Sequence, residues 1–318
     1  MQGQARGRAS RVPKQLGRLL KWVFGLAGIS FLIIAFRETW RRSQGLPIPK
    51  GWAFLSAGVL SLAALFCFGR AWVQLLVARD RNRALVAGFY ASQLGRYIPG
   101  VVWQALAQVG LATQSGVSLP QAAGAFGVHA VVQVAAGGTV GATLALFGRG
   151  VPLAVRLSAP LALLPLLLLR RGWLVRSLRI VGRLVPRAFA DARAFSQADA
   201  LVPTQGAMFS SYGWTLCSVA ANSVAFALLL SSLAGGGLIP TSSAAFGLAW
   251  TIGFLAVPFP SGIGVREAVL MLTIGFAVPR SQVIAASISQ RLLVMVGEVL
   301  AIISSRTRLR AQRPPAHR

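Results

Sequence analysis

The chain has 318 residues, of which 55% are hydrophobic and only 12% charged, and its mean hydropathy is +0.66. A soluble domain carries about 25% charged residues, so this composition excludes an ordinary soluble protein and requires membrane-spanning segments. The balance of 32 basic against 6 acidic residues, a net +26, would suggest nucleic acid in a soluble protein. Here the basic residues collect at the ends of apolar segments and face anionic lipid headgroups instead, so membrane lipids are the expected partners and nucleic acid is not.

In chain order, residues 1–18 form a basic N-terminus. The apolar run from Leu19 to Phe36 is too long for a signal peptide and lacks a small-residue cleavage site, so it reads as a first span. Full spans of about the 20 residues a bilayer requires are predicted at 19–36, 52–69, 120–148, 152–169, 207–233 and 281–304. Two further apolar regions, 84–116 and 242–275, are interrupted near their middles by Pro and Gly. A basic loop covers 170–206, its first part (170–187) reading either as an amphipathic helix on the inner leaflet or as a plain basic loop. A basic tail covers 306–318. The fold class is therefore all-α: a polytopic membrane protein with one transmembrane domain, 19–305.

Suppose that each interrupted region enters and leaves the bilayer on one side. Segments 1–21, 70–83, 170–206 and 306–318 then share a side and carry 22 Lys and Arg, against 6 in 37–50 and the turns at Arg149 and Arg280. The positive-inside rule places the first set, and both termini, in the cytoplasm. The first outside loop, with Arg37, Arg41, Arg42 and Lys50, is the weak point of that assignment.

The interrupted regions match each other. Under a shift of 159 residues, Pro99 falls on Pro258, Leu111 on Leu270, Gly116 on Gly275 and Pro120 on Pro279. Each region has an apolar run, a Pro/Gly break, a short apolar helix, Gly-x-x-x-Pro and a long span. The repeat units are about 48–148 and 207–304, and span 52–69 runs in the opposite direction to 207–233, which makes the repeat inverted. Paired broken segments of this kind mark transport sites near the midplane, because irregular backbone at membrane depth must face protein or a wet cavity.

Helices restarting after Gly100 and Gly264 would present free N–H groups suited to phosphate. Arg96 precedes the first break and Arg266 follows the second, and guanidinium groups bind phosphate in bidentate fashion. Glu267 needs a partner other than its neighbour Arg266. It either bridges to Arg291 in the last span or serves a cationic group on the substrate. Arg291 and Glu298, seven residues apart, share a helical face. His129, like Gln133, lies in a small-residue span and reads either as a packed, hydrogen-bonded interior group or as a proton carrier. Gly137-x-x-x-Gly141 reads as a close helix contact. Cys67 and Cys217 fall inside apolar segments and suggest neither disulfide nor metal site. No G-x-S-x-G, H-E-x-x-H, P-loop or paired-aspartate signature is present, so no catalysis and no cofactor are expected.

The motifs L-G-R-Y-I-P-G-x-x-W (94–103) and P-x-P-S-G-x-G-x-R-E (258–267) are followed by Gly275, Ala285-Ala286 and Gln290-Arg291-Leu292. With them the chain, from about residue 15 onward, resembles the flippase-like integral membrane family typified by the transmembrane region of lysylphosphatidylglycerol synthases. Arg96, Tyr97, Pro99, Gly100, Trp103, Pro260, Gly262, Gly264, Glu267 and Arg291 match the family pattern by position. Ser261 stands where a Gly is usual, and Val128-His129 where relatives carry charge. The resemblance implies a bacterial inner-membrane protein that moves anionic or aminoacylated phospholipids or polyprenyl-linked sugars. It could equally sit beside the enzymes that make them. Nothing after Ser305 would form the synthases' soluble transferase domain. The expected headgroup site comprises Arg96, Tyr97, Gly100, Trp103, Gly262, Gly264, Arg266, Glu267 and Arg291.

Overall fold

The structure, a computed structural model, describes residues 44–76, 82–98, 102–147, 151–176, 201–256 and 264–311, with Gly262 and isolated positions between 30 and 41. Most of the predicted span 19–36 and of the 170–206 loop lies outside the described residues, as do Pro99, Gly100, Pro258 and Pro260.

Every described element is helical. Helix α1 is Gly51–Gln74; α2, Asn82–Ser92, runs into a 3-10 turn at Gln93–Tyr97; α3 is Val102–Gln114; and α4 is Leu119–Ala142. Two short helices, α5 (Leu144–Phe147) and α6 (Leu153–Ser158), lead into a 3-10 stretch at Ala159–Leu169. Then come α7 (Gln205–Ala234), α8 (Ile239–Leu255), α9 (Val265–Ile274) and α10 (Arg280–Ala311). Among the described residues, four segments are long and apolar enough to cross a membrane: Gly51–Gln74, Leu119–Phe147, Gln205–Ala234 and Arg280–Ser305.

The expected span at 152–169 takes a different form. It is 17 residues long and mostly 3-10, with Pro160 near the start of that stretch and Pro165 inside it. Each proline removes a backbone donor and crowds the preceding turn, which loosens the α-helical ladder. The 3-10 form is longer per residue, so Leu153–Leu169 extends about 31 Å at about 1.5 and 2.0 Å per residue.

Helix starts follow local chemistry. Ser118 accepts from Gln121 N–H and Thr204 from Ala207 N–H, capping α4 and α7, and Pro120 occupies the first turn of α4. The long helices α1 and α7 pack antiparallel. Lys50 N–H donates to Ser232 Oγ at one end (3.3 Å), and Arg70 and Phe66 lie against Trp214 towards the other.

Helices α4 and α8 cross very closely. A Cβ on Gly247 would meet Gly141 N at 2.7 Å, and one on Gly141 would meet Leu248 N at 2.9 Å. Glycine at both positions lets the two backbones touch, which is how helices pack where hydrophobic driving force is weak.

Two apolar cores form at opposite ends. One holds Leu75, Leu76, Leu85, Val117, Leu169, Val202 and Ile302. The other holds Ala53, Leu144, Val151, Leu230, Ile274, Val278 and Val283. The outer ends of α2 and α3 belong to the first core, and those of α8 and α9 to the second. The helices beside the first interruption therefore belong to one core and those beside the second to the other. Phe147, Val151 and the segments 234–241 and 275–280 gather at the second end, where Thr241 Oγ1 donates to the carbonyl of Phe147. At the first end Gln205 accepts from Arg171 N–H and donates to Leu169 O, both at 2.8 Å.

Candidate functional site

Between the two cores lies a cavity lined by Arg96, Tyr97, Asn222, Phe246, Trp250, Arg266, Ser287, Gln290, Arg291, Val294 and Met295. Its empty space, mouth included, is about 570 Å³. Arg96 and Tyr97 come from the turn before the first break, Arg266 from the helix after the second, and the Ser287–Met295 face from α10. The two interrupted segments thus share one cavity, walled by the last long helix.

The second break is shaped by glycine. Gly262 and Gly264 have φ of +65° and +85°, a region where side chains are strained. A Cβ on Gly262 would also meet Gly253 O at 2.8 Å. Gly253 in turn gives room to the stem of Arg266, whose Cγ lies 2.6 Å from where a Cβ on Gly253 would be. The Arg266 guanidinium then lies over Trp250, 4.4 Å from the ring centroid, and 5.7 Å from that of Phe246. This is a cation held on aromatic faces. It has no carboxylate or hydrogen-bond partner among the described residues.

Glu267 is fully engaged. One carboxylate oxygen accepts from the Gly264 N–H at 2.8 Å, closing the first turn of α9. The other accepts from Arg291 Nη2 at 2.8 Å and Ser287 Oγ at 3.1 Å. The bridge to Arg291 is therefore present, and each Glu267 oxygen already has a partner within the protein. It also puts a carboxylate at the helix N-terminus that the sequence assigns to phosphate, and an anion already there removes most of that attraction.

Arg96 is not the free ligand its position suggests. Its Nη1 lies 3.0 Å from Glu298 Oε1, although not aligned as a hydrogen bond. Its Nη2 donates to Gln93 Oε1. Tyr97 Oη donates to the other Glu298 oxygen at 2.8 Å. Glu298 is buried, so its charge requires this pairing. Gly95 makes the arrangement possible: a Cβ there would meet the backbone of Gln104 at 2.8 Å, so only glycine lets α3 lie against the Arg96 turn.

Of the nine expected site residues, Arg96, Tyr97, Arg266 and Arg291 line the cavity. Glu267 stands behind Arg291, while Gly262 and Gly264 shape the break. Trp103 does not line the cavity, and Gly100 lies outside the described residues. Sequence reasoning missed Asn222 and Gln290, both buried, with Gln290 Nε2 donating to Asn222 O at 2.6 Å. A carboxamide inside an apolar span is the signal that could have found them. It missed Phe246 and Trp250 as well, since aromatic residues in a span carry no mark of a site.

His129 belongs to the first core. It is buried among Phe68, Trp72 and Phe89, at ring-centroid distances of 5.0, 5.7 and 6.0 Å. Neither ring nitrogen has a partner among the described residues.

Comparison of the chain with protein-family models and with curated proteins finds no match.

Proposed function

We propose that this protein is an integral membrane translocase for lipids with anionic headgroups, of the flippase-like kind its motifs resemble, and not an enzyme. The headgroup passes the cavity between the two broken segments while the acyl or prenyl chains stay in the bilayer. One observation carries this reading: the Arg266 guanidinium has no anionic partner among the described residues, in a cavity where both other arginines are already neutralised by carboxylates. An unpaired cation at membrane depth is costly, and an anion entering the cavity offsets that cost.

The element order supports the inverted repeat. Shifted by 159 residues, Gly51–Gln74 falls on 210–233, beside Gln205–Ala234. The segment 82–97 falls on 241–256, beside Ile239–Leu255, and Val102–Gln114 on 261–273, beside Val265–Ile274. In this reading α2–α3 and α8–α9 are re-entrant hairpins from opposite leaflets. Leu153–Leu169, about 31 Å long against a hydrocarbon core of about 30 Å, is a full span, and 19–36 is the sixth. The end holding residues 169–171 and 201–205 is cytoplasmic, as are both termini, in the inner membrane of a bacterium.

The test is transport of fluorescent anionic lipid by purified protein in liposomes. Arg266→Gln should slow transport roughly 10–150-fold, the worth of one charged hydrogen bond to phosphate, with insertion unchanged. Wild-type protein that moves no lipid would instead favour a membrane enzyme or a non-transporting partner of biosynthetic enzymes.

A further inference from the structure

Resting on the reading above, the charges around the cavity select among the headgroups it allows. Three guanidinium groups line it: Arg96, Arg266 and Arg291. Two carboxylates neutralise them, Glu298 at Arg96 and Glu267 at Arg291. Among the described residues the site therefore carries one net positive charge, located on Arg266.

The two carboxylates do not line the cavity. They stand behind the arginines, and their oxygens are taken by Arg96, Tyr97, Arg291, Ser287 and the Gly264 N–H. A cationic substituent entering the cavity would meet guanidinium groups and find no carboxylate among the described lining residues. Like charges facing each other away from water repel strongly. A second negative charge on the ligand would in turn stay unneutralised in a site of low dielectric, which carries its own penalty.

The remaining polar surface is uncharged. Gln290 is buried and lines the cavity. Its Nε2 is spent on Asn222, but its Oε1 accepts from no described residue. That acceptor, on the wall of the cavity that Arg266 also lines, is open to a hydroxyl donor on the ligand.

We infer that the cavity takes a singly charged phosphodiester headgroup bearing an uncharged, hydroxylated alcohol, and that it discriminates against aminoacylated and doubly charged headgroups. The phosphodiester meets Arg266, and the hydroxyl meets Gln290 Oε1.

The experiment measures binding of short-chain lipids to the full-length protein in non-ionic detergent by titration calorimetry. Four probes are compared: phosphatidylglycerol, its lysyl ester, phosphatidic acid and phosphatidylcholine. Phosphatidylglycerol should bind about tenfold or more tightly than each of the others. Arg266→Gln should weaken it roughly 10–150-fold, while Arg266→Lys, which keeps the charge, should weaken it less. Val294→Glu, which adds a carboxylate to the cavity wall, should cancel the preference for phosphatidylglycerol over its lysyl ester.

Lysyl ester binding as tightly as phosphatidylglycerol, with the same dependence on Arg266, overturns the charge selectivity and leaves the translocase reading standing. Tighter binding of phosphatidic acid also overturns it. If no lipid responds to Arg266→Gln in folded protein, the cavity is not the headgroup site and both readings fail. Unchanged selectivity in folded Val294→Glu protein shows that net charge does not set the choice.

Discussion

At the scale of single residues, the cavity depends on two ion pairs that meet α10 seven residues apart. Arg291 takes Glu267, and Glu298 takes Arg96 and Tyr97. The two pairs run in opposite sense: α10 supplies the cation to the second broken segment and the anion to the first. Removing one partner of a buried pair strands the other, at a cost of about 3–5 kcal/mol, whereas removing both avoids that cost. Glu267 also closes the first turn of α9 through the Gly264 N–H. Glu267→Gln should therefore lower the yield of folded protein and its thermal midpoint. The double change Glu267→Gln, Arg291→Gln should recover most of the loss. Size-exclusion profiles and melting curves of the three proteins check this, and a double variant worse than the single one would show that Arg291 is held by something other than Glu267.

At the scale of elements, the small-residue motif in α4 is legible along the chain, but its partner is not. Gly137 and Gly141 lie against α8, and the face they meet carries its own glycine, Gly247. Adding a methyl group where backbones already touch forces the helices apart, at a typical cost of about 1–3 kcal/mol. At Gly213 in α7 and Gly127 in α4, by contrast, an added Cβ would have nothing within 4 Å. There alanine should be neutral or stabilising by up to about 1 kcal/mol, through its better helix propensity. The expected order of thermal midpoints is Gly213→Ala at or above wild type and Gly247→Ala well below it. Equal midpoints for the two would show that the α4–α8 crossing gives way without cost.

For the whole molecule, the two ends differ in the charge that the sequence assigns them. Lys50, Phe147, Val151 and the 234–241 turn gather at one end; 169–171 and 201–205 gather at the other. In the proposed topology the 22-to-6 split of basic residues assigns the end holding 169–171 and 201–205 to the cytoplasm. In a protein with Cys67 and Cys217 replaced by Ser, Gly236→Cys should react with an impermeant maleimide added outside intact spheroplasts. Reaction only after the membrane is opened would invert the topology. Gly236 suits the probe because it is exposed and a side chain there would meet nothing.

What depends on chain-local physics could be read from the residues alone. Among the described residues, four apolar runs form helices long enough to cross a membrane, and Pro120, Ser118 and Thr204 set where helices start. The Pro/Gly interruptions had to end one helix and begin another, since proline lacks the donor that a continuous ladder needs. The approach of Glu267 to Arg291 was also within reach, because two charges in apolar surroundings seek each other. Which cation stays free, by contrast, was settled by tertiary packing. Arg96 and Arg266 look alike in sequence, each beside a break. Glu298 neutralises Arg96 from 202 positions away along the chain, while Arg266 settles on Trp250 and Phe246. That difference comes from the approach of three separated segments in space, and a pattern read along one chain contains no term for it.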